Sequence, residues 1–284
     1  MSFVERVRPR EDAELRRAIY GGRVFLLPPT GASLALVDLA RGRLHDELGD
    51  EPREAHARMS DEELFARIGR LRREIYLERH AQALLRDMAA SVGFDRLHTA
   101  FDPARLRVIA HGAAENPRAA PVYYAHRDTW YAHPSSVVTI WTALDPLTPD
   151  ETFVFYPERF RSPVSNDSEI FDYDAWVARG WSLKIGWQDR EASSKARYPQ
   201  VTGDESHGPA EGFSCQRGEI LLFSGAQFHR TLPQTRGLTR FSLDARLVHL
   251  TDHAQGLGAP NVDGRSTGSA LADYVQPEED GSRA

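Results

Sequence analysis

The sequence predicts a mainly β domain, a sandwich or barrel of short strands, flanked by a layer of helices. Up to Gly93 the apolar residues recur at helical spacing, whereas beyond it short apolar runs alternate with Gly, Pro and Asp. The length of 284 residues and the hydrophobic content of 41% allow a sizeable core in one domain of this class. We therefore expect a single domain over 1–284, with a helical region that includes a short strand at 1–99, a β core at 100–250 and a tail at 251–284.

The first predicted elements are a helix, a strand and a second helix. Residues 11–20 carry apolar side chains at helical spacing, and the two glycines that follow end the helix. Residues 23–27 form a short apolar run that two prolines stop, which is typical of a buried strand. The apolar pattern of residues 32–48 predicts the second helix.

A longer helical segment is predicted at 61–91. Ser60 can cap the start of a helix, and Glu63 lies at the capping-box position. Apolar residues then recur at helical spacing as far as Met88. The segment therefore predicts one or two amphipathic helices, which we expect to pack on the sheet.

Seven apolar runs after Gly93 predict the strands of the β core. They cover residues 106–110, 122–125, 137–144, 153–156, 219–223, 239–243 and 246–250.

An irregular stretch, residues 161–215, separates these strands into two groups. It holds Trp176, Trp181 and Trp187 among many charged residues. An insertion of this length inside a β domain is more often functional than decorative, so we expect a lid or a wall of a binding pocket. The tail beyond Asp252 is rich in Gly, Ser and Asp, and we expect it to be mobile or loosely wrapped.

Composition excludes several classes of function. The net charge is -6 and no block of Lys and Arg stands out, so a nucleic-acid partner is not expected. The single cysteine, Cys215, rules out an intramolecular disulfide and cysteine-based zinc clusters, and it reads as a small core residue near a strand rather than a nucleophile. The N-terminus lacks the apolar run of a signal peptide, and no segment approaches the roughly 18 apolar residues that span a bilayer. We expect a cytoplasmic protein with no membrane partner.

The most informative pattern is a set of candidate metal ligands. Along a strand, side chains two positions apart share a face, so His126 and Asp128 could both enter a barrel while Arg127 points away. His229 follows a predicted strand and a turn, and it supplies a second imidazole. Two histidines and one carboxylate with open positions are the ligand set of non-haem Fe(II) oxygenases. The alternative is a surface His-X-Asp pair beside a turn and a hydrogen-bonded loop histidine.

A candidate carboxylate anchor follows the second histidine. Arg240 lies eleven residues after His229 at the start of an alternating strand, and Ser242 shares its face. A guanidinium binds a carboxylate through two hydrogen bonds, and a neighbouring hydroxyl can donate to the same oxygens. Arg246 has the same strand parity and is the rival anchor, but the spacing from His229 favours Arg240.

Three stretches of sequence together resemble the Fe(II)/2-oxoglutarate-dependent dioxygenases, in particular the phytanoyl-CoA dioxygenase-like branch. They are HRDTW at 126–130, GEILLFSGAQFHRTLPQT at 218–235 and TRFSLDAR at 239–246. The resemblance covers about residues 100–250. It implies a double-stranded β-helix, a distorted jelly roll, with the N-terminal helices as its flanking layer.

The resemblance also implies roles for individual residues. His126, Asp128 and His229 would hold Fe(II) and so form the catalytic centre, while Arg240, with Ser242 beside it, would bind the distal carboxylate of the cosubstrate 2-oxoglutarate. Related halogenases replace the carboxylate ligand by a small residue, so the presence of Asp128 favours hydroxylation or another oxidation over halogenation.

Thr139, on the strand after the His-X-Asp pair, is the candidate for a second contact to 2-oxoglutarate. The function implied is oxidation of a small-molecule substrate by O2, with release of succinate and CO2. The rival functions are a cupin-type metal enzyme that does not use 2-oxoglutarate and a non-catalytic jelly-roll binding protein. The cupin-type rival would share the histidines but needs neither Arg240 nor Ser242, and the intact His, Asp, His and Arg set argues against a binding protein with a degenerate site.

Overall fold

The protein combines two β-sheets with a layer of helices. The computed structural model describes residues 3–7, 11–178, 197–204 and 206–277. The helices are α1 (Asp12–Tyr20), α2 (Gly31–Leu48), α3 (Ala55–Arg58), α4 (Asp61–Leu77), α5 (Arg79–Ser91), α6 (Tyr173–Ala178) and α7 (Leu250–Ala254). The strands are β1 (Val4–Arg6), β2 (Val24–Leu27), β3 (Thr99–Phe101), β4 (Arg105–Ile109), β5 (Val137–Ala143), β6 (Phe153–Phe155), β7 (Ile220–Ser224), β8 (His229–Thr231) and β9 (Arg240–His249).

The N-terminal helices begin where the sequence provides caps. Ser60 accepts a hydrogen bond from the backbone of Glu63 and starts α4, as predicted. Thr30 and Ser33 form a reciprocal capping box at the start of α2. The predicted segment 61–91 is two helices, α4 and α5, which meet at Glu78.

The strands form a distorted double-stranded β-helix, as the resemblance implied. The large sheet has seven strands in the order β1-β2-β7-β5-β9-β3, with β4 also paired to β9. The small sheet pairs β6 with β8. The predicted runs 239–243 and 246–250 belong to the single strand β9. Asp244, which lies between the two runs, accepts a hydrogen bond from Arg246 on the same face of the strand.

Strand β9 separates the hydrophobic core from the interior of the β-helix. Phe241, Leu243 and Leu247 point toward the helices and join the main core. Side chains alternate along a strand, so Arg240, Ser242, Asp244 and Arg246 point to the opposite face. That face is the inner wall of the β-helix, and it positions the site described below.

Two local predictions were wrong. Residues 122–125 do not form a strand, and Pro117–Tyr123 is a 3-10 helix instead. Pro121 lies inside this 3-10 helix, directly before the predicted run, and it has no N–H to donate to a β ladder. His126 forms an isolated bridge to His229, and Asp128 begins a second 3-10 helix, Asp128–Tyr131.

The stretch 161–215 contains no strand in its described part. It includes the 3-10 helix Ser168–Ile170, helix α6 and several isolated bridges. Trp176 lies on α6, whereas Trp181 and Trp187 fall outside the described residues.

The tail is not loose between 259 and 277. The side chain of Asp263 is 3% exposed and accepts hydrogen bonds from Arg127 Nε, Trp130 Nε1 and the backbone of Val164. Tyr274 forms a hydrogen bond to the ring of His133. Buried polar contacts to the core therefore fix a segment whose composition alone suggested mobility.

Cys215 is fully buried, and burial raises the pKa of its thiol to about 12. A thiol in that state is protonated and unreactive at neutral pH, in line with its predicted role as a core residue. Among the described residues, no helix is both long enough and apolar enough to cross a membrane.

Candidate metal centre and active site

A backbone bridge brings the two candidate histidine ligands together. The amide of His126 donates to the carbonyl of His229, and the amide of His229 donates back, each at 3.0 Å. The two ring centroids are 4.5 Å apart. We predicted that His126 lies on a regular strand. Instead, this isolated bridge places His126 beside the first residue of β8.

Asp128 completes a three-ligand cluster with the two histidines. One ligand atom from each of His126, Asp128 and His229 lies within 4.8 Å of the others, and His126 Nε2 is 3.8 Å from Asp128 Oδ1. The Nδ1 atom of each ring lies at hydrogen-bond distance from a backbone carbonyl, that of Tyr124 at 2.8 Å and that of Gln227 at 2.9 Å. Donation from Nδ1 leaves each Nε2 lone pair for a metal.

Electrostatics put the three groups in the protonation states that a metal needs. Burial, followed by the neighbouring His229, lowers the pKa of His126 to about 3, and burial also lowers the pKa of His229. Burial alone would raise the pKa of Asp128, but Arg246 and the two histidines together hold it well below its usual range. Two neutral imidazoles and one carboxylate are the ligation-competent forms.

Asp128 is held at both oxygens. Thr139 Oγ1 donates to Oδ2 at 2.5 Å, and Arg246 Nη2 donates to Oδ1 at 3.2 Å. Arg246 Nη1 also contacts Asp244, which receives two further hydrogen bonds from Arg107. Sequence reasoning missed Asp244, although its even position on β9, shared with Arg246, could have found it.

Thr139 and Arg246, which the sequence offered as candidate contacts to 2-oxoglutarate, bind carboxylates of the protein instead. The hydroxyl of Thr139 donates to Asp128, and two nitrogens of Arg246 are engaged by Asp128 and Asp244. Arg127 does point away from the ligand cluster, as predicted, and binds Asp263 in the tail.

Arg240 lies deep in the protein, next to two backbone carbonyls. It is 3% exposed, and its Nη1 donates to the backbone carbonyls of Glu151 and Thr152. In the described part of the chain, Arg240 has no ion pair, and neither Arg240 Nε nor Ser242 Oγ has a hydrogen-bond partner. Burial lowers the pKa of Arg240 to about 10, which a bound anion would reverse.

One cavity of about 250 Å³ connects these groups. The three candidate ligands, Thr139 and Arg240 all line it. Ser242 lies on the same face of β9 as Arg240 but is fully buried beneath the cavity surface.

A second group of candidate ligands lies outside this cavity. Asp95, His98 and His249 also have ligand atoms within 4.8 Å of one another. The Nδ1 atom of His98 lies at hydrogen-bond distance from Asp95, both side chains are partly exposed, and His249 lies near Asp12 and Asp252. Neighbouring carboxylates and histidines explain this group without a metal.

Comparison with protein families identifies the chain. The sequence model of the phytanoyl-CoA dioxygenase family matches residues 36–241, well over half of the chain. The chain belongs to this family. No match is found among curated proteins.

Three solved structures resemble the chain at low identity. EvdO2 from Micromonospora carbonacea var. aurantiaca, complexed with 2-oxoglutarate, is 14% identical with a TM-score of 0.47, covering 86% of this chain and 93% of its own. EctD from S. alaskensis, with 2-oxoglutarate and 5-hydroxyectoine, is 12% identical with a TM-score of 0.45, covering 88% and 82%. The epimerase SnoN from nogalamycin biosynthesis is 12% identical with a TM-score of 0.40, covering 95% and 97%.

Membership of the phytanoyl-CoA dioxygenase family makes the protein a non-haem Fe(II)/2-oxoglutarate-dependent dioxygenase. Its metal is Fe(II) and its cosubstrate is 2-oxoglutarate. The fold class, the family and the cofactors predicted from the sequence are therefore confirmed.

Proposed function

We propose that this dioxygenase hydroxylates or otherwise oxidises a small molecule, consuming O2 and 2-oxoglutarate and releasing succinate and CO2. His126, Asp128 and His229 hold Fe(II) in this proposal. Arg240, with Ser242 beside it, holds the distal carboxylate of 2-oxoglutarate. The observation that carries the assignment is a buried arginine, which has no ion pair with any described residue, in the same cavity as a three-ligand cluster.

The donor set fits the metal. Two neutral imidazole nitrogens and one ionised carboxylate are the facial triad of non-haem Fe(II) oxygenases, and they leave coordination positions for exchangeable ligands. Bound Fe(II) supplies oxygen activation coupled to oxidative decarboxylation of 2-oxoglutarate. The buried, hydrogen-bonded ligands provide a fixed face for it.

The remaining residues of the site orient groups and exclude water. Thr139 and Arg246 fix the plane of the Asp128 carboxylate. Trp141, Phe153 and Phe223 line the inner part of the cavity with apolar surface. Such a wall keeps water from the reacting atoms and strengthens the electrostatic contacts inside.

A cupin-type enzyme that does not use 2-oxoglutarate is the weaker alternative. It needs the metal ligands but has no use for a cation at Arg240. Burial of a guanidinium without a carboxylate is costly, so a ligand that pairs with it accounts for its presence.

Anaerobic titration tests the proposal. Addition of Fe(II) and then 2-oxoglutarate to the protein should produce a visible charge-transfer band, and succinate should appear with product once O2 and substrate are present. Arg240→Gln should weaken 2-oxoglutarate binding about tenfold or more while metal affinity is unchanged, because a charge-assisted contact is lost. Arg236→Gln, an exposed arginine paired with Asp150, is the matched control.

Two results would contradict the assignment. Absence of both the band and 2-oxoglutarate binding would refute the cosubstrate. Unchanged 2-oxoglutarate affinity in Arg240→Gln would show that another cation is the anchor.

A further inference from the structure

We propose that Tyr131, His133 and Tyr198 form a subsite for an uncharged, hydroxyl-bearing ring of the substrate, and that Tyr274 positions His133 within it. The inference rests on the proposed oxidation of a small molecule, since it names the substrate class of the same cavity. All four side chains line the cavity that holds the candidate metal ligands.

Tyr131 places this subsite next to the candidate metal centre. It ends the 3-10 helix that Asp128 begins, and its ring packs edge-on against His126 with the ring centres 5.4 Å apart. Tyr198, from the stretch 161–215, contributes a second ring, whose centre is 6.4 Å from that of Tyr131. Phe171 packs edge-on against Tyr131 at 5.4 Å. Aromatic walls stack on a ring and exclude water, so a ring bound among them lies close to the ligand His126.

Tyr198 brings a buried hydroxyl that the protein leaves unsatisfied. In the described part of the chain, its Oη atom is buried and has no hydrogen-bond partner. Burying a polar atom without a partner costs free energy, which a ligand that hydrogen-bonds to it would recover. Burial raises the pKa of Tyr198 to about 12, so at neutral pH the hydroxyl is protonated and can both donate and accept.

His133 is the second polar group of the subsite. Its Nδ1 atom lies at hydrogen-bond distance, 2.9 Å, from the hydroxyl of Tyr274, so contact with a ligand falls to Nε2. Burial, followed by the cation of Arg246, lowers the pKa of His133 to about 4, and the ring is therefore neutral at neutral pH. A neutral imidazole has one donor and one acceptor nitrogen, and the bond to Tyr274 selects which of the two faces the ligand.

The backbone between Tyr131 and His133 has an unusual conformation. Ala132 has a φ of 60°, in the left-handed region that residues with a Cβ rarely adopt. Its amide donates to Ser266 Oγ and its carbonyl accepts from the amide of Ala270, each at 3.1 Å. Strained backbone persists where the surrounding structure holds it, and it is concentrated at functional sites. The C-terminal segment thus holds the turn that carries both cavity-lining side chains.

The charges around the subsite favour an uncharged ligand group over an anion. Burial raises the pKa of Tyr131 well above its usual range, so this hydroxyl, like that of Tyr198, is neutral. The charge of Arg107 reaches both tyrosines, but Asp244 already binds Arg107 through two hydrogen bonds. A carboxylate only accepts and an ammonium only donates, whereas a hydroxyl does both. A hydroxyl therefore matches the tyrosines and either tautomer of His133.

Calorimetry with four probes of similar shape tests the inference. The full-length protein with Fe(II) and saturating 2-oxoglutarate, in the absence of O2, is titrated with 2-naphthol, 2-methylnaphthalene, 2-naphthoate and decahydro-2-naphthol. 2-Naphthol should bind about tenfold more tightly than 2-methylnaphthalene, since hydrogen bonds add to the shared aromatic contact, and it should also bind more tightly than 2-naphthoate. The tighter of 2-naphthol and decahydro-2-naphthol identifies the ring as aromatic or saturated.

Two variants that keep the rings and remove the hydroxyls locate the preference. Tyr131→Phe and Tyr198→Phe should each reduce the preference for 2-naphthol over 2-methylnaphthalene about threefold to tenfold and leave 2-oxoglutarate affinity unchanged. Tyr198→Phe removes a hydroxyl that bonds to no described residue, so it should not lower the midpoint of unfolding, and misfolding cannot explain its effect. Tyr156→Phe, at a buried tyrosine that does not line this cavity, is the matched control and should keep the preference.

A third variant tests the positioning role of Tyr274. Tyr274→Phe should reduce the same preference about threefold, because His133 loses the partner that sets its tautomer and orientation. In a His133→Phe background, Tyr274→Phe should have no further effect on the preference, because the two residues act as a unit. An equal loss in both backgrounds, or a loss of stability alone, would contradict the positioning role.

The inference is overturned if 2-naphthol binds no better than 2-methylnaphthalene or 2-naphthoate, or if Tyr131→Phe and Tyr198→Phe both keep the full preference. Failure of the proposed function has a different signature, the missing charge-transfer band. Probe binding is measured with and without Fe(II) and 2-oxoglutarate, so the preference for a hydroxyl is decided in either case.

Discussion

At the scale of single residues, Arg246 holds Asp128 in place from outside the set of candidate ligands. It is 8% exposed and joins two buried carboxylates, one of which is the candidate ligand. Thr139 holds the other oxygen of that ligand. Groups that orient a metal ligand raise metal affinity even though they do not touch the metal.

Arg246→Gln should therefore weaken Fe(II) binding about tenfold to a hundredfold, measured by competition with a chelator. Thr139→Val should act in the same direction with a smaller effect, because Asp128 then keeps its cation. Arg230→Gln is the control, since Arg230 is exposed and lies next to His229. Loss of 2-oxoglutarate binding with intact metal affinity in Arg246→Gln would instead make Arg246 the cosubstrate anchor.

At the scale of elements, the turn between β7 and β8 determines where Asp128 lies. The carbonyl of Gly225 accepts from Thr129, and its amide donates to Val137. A Cβ at Gly225 would lie 2.3 Å from Val137 Cγ1 and 3.1 Å from Asp128 Cβ. The turn, the 3-10 helix Asp128–Tyr131 and strand β5 are thus in close contact at this glycine.

Gly225→Ala should destabilise the protein by about 1–3 kcal/mol through overpacking and should also weaken Fe(II) binding, because Asp128 must shift. Chemical denaturation and chelator competition measure the two effects. Gly42→Ala, in α2 with open space at its Cβ, should stabilise by about 0.5–1 kcal/mol. If Gly225→Ala and Gly42→Ala had the same effect on stability and on Fe(II) affinity, the close packing at Gly225 would be contradicted.

The same elements show which parts of the site could be predicted from sequence. Strand β9 alternates polar and apolar residues from Arg240 to Leu247, so the sequence predicts correctly that Arg240 and Ser242 share a face. The segment before His126 was not, because prolines replace its expected ladder by a 3-10 helix. His126 and His229 meet through a long-range backbone bridge, a contact that no local pattern specifies.

At the scale of the whole molecule, the C-terminal segment supports the active site. Asp263 binds Arg127, which lies between the two ligands His126 and Asp128, and it also binds Trp130 on the 3-10 helix that Asp128 begins. Arg127 is 1% exposed and also donates to the backbone carbonyl of Ser162. The segment after β9 therefore connects the ligand loop to the stretch 161–215.

Asp263→Ala should lower the free energy of unfolding by about 3–5 kcal/mol, because it leaves the guanidinium of Arg127 buried without its carboxylate. It should also weaken Fe(II) binding, since the loop from 126 to 130 loses its anchor. Guanidinium denaturation measures the first effect and chelator competition the second.

Asp204→Ala, which removes an exposed carboxylate, is the control and should change stability by less than about 0.5 kcal/mol. A loss of stability with unchanged metal affinity would show that the tail supports the core alone. Loss of both would show that the C-terminal segment, which lies beyond the residues matched by the family, helps to hold the metal ligands in place.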